Sequence, residues 1–217
     1  MIHERKQSVV IVGGGKGLRA GGELPKQFQP VGGLPMLMLT IQAFRRYDEQ
    51  MKIVIVLPDG FQPVWKQLCA THQFTVPHVV TSGGDTRFDS VKSGLKEVAD
   101  EGIVGGHDAA RPFVSTTLIA KCFEAAQQNH CGVVPVIDEV NSVRLLTESG
   151  SCMLDRKLVK VIQTPQVFPA AQLKKAYETG FDPAFADDAS VAEKYGMHIL
   201  LLEGEESNFK ITTPFDW

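Results

Sequence analysis

Short apolar runs alternate along the chain with longer stretches whose apolar residues recur every three or four positions. Residues 8–12 (SVVIV) and 52–57 (KIVIVL), the second closed by Pro58-Asp59-Gly60, predict strands buried on both faces. Further strands are expected at 78–81, 103–107, 132–136, 158–162 and 198–202. The stretch 37–47 (LMLTIQAFRRY) places Leu37, Ile41 and Phe44 on one helical face. Helices are also expected at 61–71, 86–100, 116–129, 170–178 and 188–195. This alternation predicts an α/β fold, a doubly wound and mostly parallel sheet with helices on both faces. Ligands of such a sheet bind at the carboxyl ends of its strands.

One segment breaks the alternation. Residues 138–156 (DEVNSVRLLTESGSCMLDR) carry two short β-like pieces around Glu148-Ser149-Gly150-Ser151, a hairpin with turn residues at its tip. An isolated two-stranded hairpin is marginal in water, so this one is expected to pack on something, and a partner subunit is one candidate. The organisation expected is a single domain over 1–217 with a projecting arm at about 138–157.

Composition narrows the chemistry. The 217 residues hold 22 Lys and Arg against 25 Asp and Glu, a net charge of −3. That balance gives no general attraction to nucleic acid or anionic membrane, so basic chemistry has to be local. No apolar stretch approaches a membrane span, and the run 9–12 is too short for a signal sequence. Cys69, Cys122, Cys131 and Cys152 form no CxxC pair and no Cys/His ligand spacing, so zinc is not expected. Reduced thiols and a cytoplasmic location are expected.

The local chemistry begins directly after the first strand, at Gly13-Gly14-Gly15-Lys16-Gly17-Leu18-Arg19. Glycines let backbone N–H groups come close to a phosphate, and Lys16 and Arg19 add charge. The segment is no P-loop, because GxxxxGK[ST] is absent. Gly15-x-Gly17-x-x-Ala20 matches the dinucleotide fingerprint loosely, but residues 33–37 (GLPML) offer no acidic partner for a ribose. A glycine cluster alone is a weak signal. It gains weight from Lys26, held by Pro25 about ten residues on, where an ammonium can reach the same phosphates.

Several passages then fall into one order: GGGKGLR, PKQF, His107-Asp108-Ala109-Ala110-Arg111-Pro112, Gln163-Thr164-Pro165-Gln166, Asp187-Asp188-Ala189-Ser190-Val191 and Asn208-Phe209-Lys210-Ile211-Thr212. In this order and spacing the chain resembles the 2-C-methyl-D-erythritol 4-phosphate cytidylyltransferases, from about residue 8 to 217. The resemblance implies transfer of a cytidylyl group from CTP to methylerythritol phosphate with release of pyrophosphate. It also implies a divalent metal, normally Mg2+, and a homodimer.

Residue by residue, the resemblance implies that Gly13, Gly14, Gly15 and Gly17 cradle the triphosphate and that Arg19 and Lys26 stabilise charge at the α-phosphate. Gly83, Gly84, Arg87 and Ser90 would contact the base, and Asp108 with Ala109 the ribose and the metal. Arg111, Arg156, Thr164 and Lys210 would contact the sugar phosphate, with Arg156 reaching in from the partner's arm. Glu139 stands where the family commonly has threonine, and Ala186 replaces a frequent threonine before Asp187.

The residue types suit the reaction. Attack of one phosphate on another joins two anions, so positioning and charge stabilisation dominate. A phosphate monoester is already a nucleophile, so no general base is needed and His107 is read as structural. Lys210 sits in an apolar FKIT stretch, read as a strand. A ribitol 5-phosphate cytidylyltransferase is the alternative enzyme, sharing the glycine loop, PKQF and TPQ. A nucleotide-binding regulatory module is a third reading, disfavoured by the pairing of Lys26 with Lys210.

Overall fold

The computed structural model describes residues 6–13, 24–213 and 216–217. In chain order the elements are β1 (Gln7–Val12), β2 (Pro30–Val31), β3 (Leu34–Pro35), α1 (Met36–Tyr47), β4 (Lys52–Leu57), α2 (Gln62–Thr71) and β5 (Val79–Ser82). They continue with α3 (Arg87–Leu95), β6 (Ile103–Asp108), α4 (Thr116–Asn129), β7 (Gly132–Asp138), β8 (Val143–Thr147) and β9 (Gly150–Leu154). The last are β10 (Lys160–Ile162), β11 (Gln166–Pro169), α5 (Ala170–Ala176), α6 (Asp188–Tyr195) and β12 (Ile199–Glu203).

The main sheet has eight strands. β1 lies between β4 and β6, parallel to both, and β5 adds to β4 in parallel. β12 runs parallel to β7, whereas β10 and β11 run antiparallel to their neighbours. The register puts Val12 beside both Val56 and Asp108, so the strands β1, β4 and β6 end together on one rim.

Period-2 alternation in β1 feeds two cores. Val9 and Ile11 face α1, α2 and α4 with Leu37, Phe44, Trp65 and Phe123. Val10 faces α3, α5 and α6 with Val91, Leu95, Leu173 and Tyr177. Each fully buried aliphatic or aromatic side chain contributes about 1.5–3 kcal/mol. A doubly wound, mostly parallel sheet is thus observed. Among the described residues no helix is long and apolar enough to cross a membrane.

The sequence pattern misses in several places. The third helix ends at Leu95 rather than 100. Beyond it, Lys96, Glu97 and Val98 donate to carbonyls only three residues back, tightening the chain into turns. The strand expected over 158–162 is shortened by a 3₁₀ turn at Arg156–Leu158. β11 is unforeseen: four residues ending in proline carry little periodicity, yet Val167 and Phe168 are fully buried. Finally, the 209–212 stretch forms no strand and is tied instead by Ile211 N–H to the Ala110 carbonyl at 2.8 Å.

The expected hairpin exists as β8 and β9, paired from Val143–Leu154 to Thr147–Gly150. It presents Leu146 at 83% and Met153 at 78% exposure, with Leu158 at 82% just beyond it.

Candidate active site

The rim above β1, β4 and β6 is stitched by backbone bonds that carry each strand end into a loop. Gly13 N–H donates to Val56, Gly83 N–H to Leu57 and Ala109 N–H to Val12, at 2.9, 2.7 and 3.0 Å. Gly13, Gly83 and Ala109 thereby start their loops from one rim. Gln27, buried in the turn after Pro25, donates from Nε2 to the Gly13 carbonyl at 2.6 Å and fixes the start of the glycine loop. The expectations placed on Gly14, Gly15, Gly17 and Arg19 lie outside the described residues.

Gly83 and Gly84 lead into α3. A side chain at 83 would come within 2.6 Å of Ser90 Oγ, and one at 84 would overlap Asp89. Ser90 is itself buried and accepts Gly84 N–H at 3.3 Å, so it braces the glycine turn from below. Thr86 and Asp89 form a capping box that starts α3 immediately after the glycines.

Asp108 ends β6 and is the centre of the charge. Lys210 Nζ lies 3.1 Å from its carboxylate, Arg87 Nη2 3.6 Å and Arg111 Nε 3.7 Å. Burial alone would raise the Asp108 carboxyl, but Arg87, then Lys210 and Arg111, hold it well below the usual carboxylate range. Burial lowers the Arg111 guanidinium, with Asp108 opposing. A pocket of about 160 Å³ opens here, lined among others by Arg87, Asp108, Arg111, Thr164, Asp187 and Lys210.

Lys26 joins this group from the other side. Its ammonium donates to the Ile211 carbonyl at 2.6 Å, one residue from Lys210. Burial, then repulsion by Lys210, lowers its pKa, with Asp108 and Asp216 opposing. The two lysines assigned from distant motifs therefore share one corner.

Beneath the rim lies a neutral support. His107 is fully buried, and burial pushes its imidazole down to about 4. Its Nε2 lies 3.1 Å from the Arg111 carbonyl, an acceptor only, so Nε2 carries the proton. Nδ1 is then the acceptor for the Thr164 hydroxyl at 3.0 Å, while the same Oγ1 accepts Asp108 N–H at 3.1 Å. Thr164, expected as a substrate ligand, lines the pocket but commits its proton to His107. Its task in this arrangement is to hold Asp108.

Sequence reasoning left Gln163, Gln166, Asp187, Asp188 and Asn208 without roles. Asn208 is fully buried and donates from Nδ2 to the Thr164 backbone carbonyl at 2.8 Å, while its own backbone carbonyl receives Arg111 Nη1 at 2.8 Å. Gln166 bridges Asp187 and the Ala189 N–H at the start of α6. The TPQ and DDAS motifs were the available signal; their polar residues are internal struts. Arg156 is not brought to the pocket within one protomer: it is exposed and donates to the Val140 carbonyl at 2.7 Å.

Among the described residues no group of three His, Cys, Asp or Glu side chains could hold a metal by itself. The rim is thus a cationic corner around one carboxylate, suited to bound phosphates.

Comparison with known proteins agrees. The family model described as 2-C-methyl-D-erythritol 4-phosphate cytidylyltransferase matches residues 7–217. A protein of that name from Bacteroides thetaiotaomicron is 54% identical over 97% of this chain and 96% of its own. One from Porphyromonas gingivalis is 40% identical over 98% and 95%. The crystal structure of the Thermus thermophilus enzyme is similar with a TM-score of 0.79 at 32% identity, covering 97% of this chain and 95% of that one.

Proposed function

The chain belongs to the 2-C-methyl-D-erythritol 4-phosphate cytidylyltransferase family, and from that premise we propose how its residues divide the work. The enzyme joins CTP and methylerythritol phosphate into 4-diphosphocytidyl-2-C-methyl-D-erythritol and pyrophosphate. Relatives at 54% identity carry that name, so the ribitol-phosphate reading is not favoured.

A phosphate oxygen of methylerythritol phosphate attacks the α-phosphorus of CTP, and the bond to the pyrophosphate oxygen breaks. Negative charge grows on the leaving oxygen and on the equatorial oxygens, so fixed cations near both phosphates lower the barrier. The observation that carries this reading is the convergence of Lys26, Lys210, Arg87 and Arg111 on the rim around Asp108. Lys26 serves the α-phosphate; Lys210 and Arg111 neutralise the attacking phosphate. Arg19 completes the nucleotide side. Ser90 shapes the base loop from beneath.

Asp108 is the residue that would hold Mg2+, with Asp187 lining the same pocket. A donor set this small suits a cation that takes its remaining ligands from water and substrate phosphates. When bound, the ion would supply charge neutralisation between the two phosphates.

The arm completes the site from a second copy. Leu146 and Met153, on a hairpin too small to be stable alone, and Leu158 just beyond it are apolar and open to solvent. Seated on a partner, they would bring Arg156 to that partner's sugar phosphate. Four free cysteines are in keeping with a cytoplasmic enzyme.

The test is pyrophosphate release from CTP with methylerythritol phosphate and ribitol 5-phosphate in parallel. Release is expected with the first; release with ribitol 5-phosphate alone would overturn the reading.

A further inference from the structure

Arg87 stands in an unfavourable place. It is the first residue of α3, where the helix macrodipole disfavours a cation, and its side chain is largely buried. Something must offset both costs, and the structure shows what does. Nη1 and Nη2 donate to Oδ1 and Oδ2 of Asp188 at 2.9 and 3.2 Å, a bidentate fork. Asp188 has no exposed side-chain surface and does not line the pocket. Its third donor is the Tyr177 hydroxyl, itself buried at the end of α5.

Room for this carboxylate is made in the sheet. Gly106 lies in β6 two residues before Asp108, and any side chain there would overlap Asp188 Oδ2. The order is thus Tyr177 to Asp188 to Arg87 to Asp108, running from α5 and α6 beneath the sheet to the pocket. The end-on fork fixes the guanidinium plane, and the remaining Nη2 proton is left to face Asp108 Oδ1 at 3.6 Å.

We propose that Asp188 and Tyr177 are positioning residues for the cytidylyl transfer. They act through Arg87, aiming its guanidinium at Asp108 and the nucleotide without touching substrate. A simple tie between α3 and α6 would need the ion pair for stability but would be indifferent to where the outer guanidinium edge points. Here Arg87 lines the pocket, with Nη2 turned toward Asp108. Burial, and after it Asp188, keeps the Tyr177 phenol protonated far above its ordinary range, so it remains a donor.

This inference rests on the cytidylyltransferase reading, so the experiment measures turnover and equilibrium CTP binding on the same full-length variants. Asp188→Asn keeps shape and removes charge. It is expected to lower kcat/KM for CTP and CTP affinity by about 10- to 100-fold, the scale of an ångström of misplacement. The KM for methylerythritol phosphate should stay nearly constant. Tyr177→Phe should move the same quantities in the same direction by less.

The double variant Arg87→Met/Asp188→Asn removes the buried pair together, a change that folds tolerate. It is expected to recover the melting temperature lost by Asp188→Asn without recovering kcat/KM. Variants that lower only the melting temperature, or a double variant with wild-type turnover, would overturn the proposal. If the wild-type protein released no pyrophosphate, the functional reading would fall. The proposal would then stand or fall on CTP affinity.

Discussion

The rim above β6 and the arm of β8 and β9 present charge by opposite means. Among the described residues, the cations at the rim are held by groups of the same chain. Asp108 gathers Lys210, Arg87 and Arg111, Asn208 braces Arg111, and His107 braces Asp108 through Thr164. On the arm, Arg144 bonds across its own hairpin to Ser151, Arg156 holds a backbone carbonyl, and the large apolar residues face solvent. Among the described residues the rim's charges find their partners within one chain, whereas the arm turns large apolar side chains to solvent. Charge at the rim is preorganised before substrate arrives; on the reading proposed above, charge on the arm would be delivered by assembly.

The sharpest way to break that contrast is at Lys26. Lys26→Ala should lower the rate of the chemical step on the order of 10²- to 10³-fold, the usual loss for one preorganised donor at a transition state. CTP affinity should change much less, which equilibrium dialysis beside single-turnover kinetics would show. An unchanged chemical step would remove Lys26 from the reaction. The lowered pKa adds a pH signature. A lysine depressed by burial and Lys210 loses its charge earlier as pH rises. Activity should therefore fall on the alkaline side before an ordinary lysine titrates, near 10.4. Lys26→Arg should move that limb upward.

The next effect is on stability and concerns the buried support. His107 titrates near 4 in the fold against 6.5 when unfolded. Between those values the unfolded chain binds a proton that the folded chain refuses. Stability is therefore lost as pH falls from about 6.5 to about 4, by about 3 kcal/mol from 1.36 kcal/mol per unit. Urea midpoints of the wild type and His107→Gln at pH 7 and 4.5 would test this. An equal acid loss in the variant would place the cause elsewhere.

The same contrast decides what could be read without a structure. Strands β1 and β4 announce themselves because both faces are buried and the runs are plainly apolar. The hairpin shows itself by breaking that rhythm. β11 does not, since its place depends on pairing with β6 and β7 far away in sequence. At the site, Lys26, Asp108, Arg111 and Lys210 were legible because motif order implied one corner. How they are braced from within was not. Thr164 looks like a ligand in sequence, but only the positions of His107 and Asp108 show its hydroxyl to be committed. Asp188 and Asn208 are invisible as struts until Gly106 and Thr164 are seen beside them.

On the arm the expected effects are smaller. Arg156→Ala should raise the KM for methylerythritol phosphate about 10-fold, the worth of one hydrogen bond to a charged group. CTP affinity should be unaffected. A change confined to CTP would contradict delivery of Arg156 to the sugar-phosphate side.

The smallest effect on the fold comes from Leu146→Lys. Its side chain is 83% exposed in the protomer, so protomer stability should change by less than about 0.5 kcal/mol. Self-association is a different matter. If the arm docks on a partner as proposed, a charge introduced into that apolar contact is left unpaired, so the dimer should dissociate at concentrations where the wild type remains assembled. Sedimentation velocity over a dilution series reads this directly, beside the KM for methylerythritol phosphate. Dissociation should carry the Arg156→Ala phenotype with it, because both changes withdraw the same arginine from the same site. A variant that dissociates yet keeps the wild-type KM would show that each protomer supplies its own sugar-phosphate contacts. The contrast between rim and arm would then be one of exposure alone.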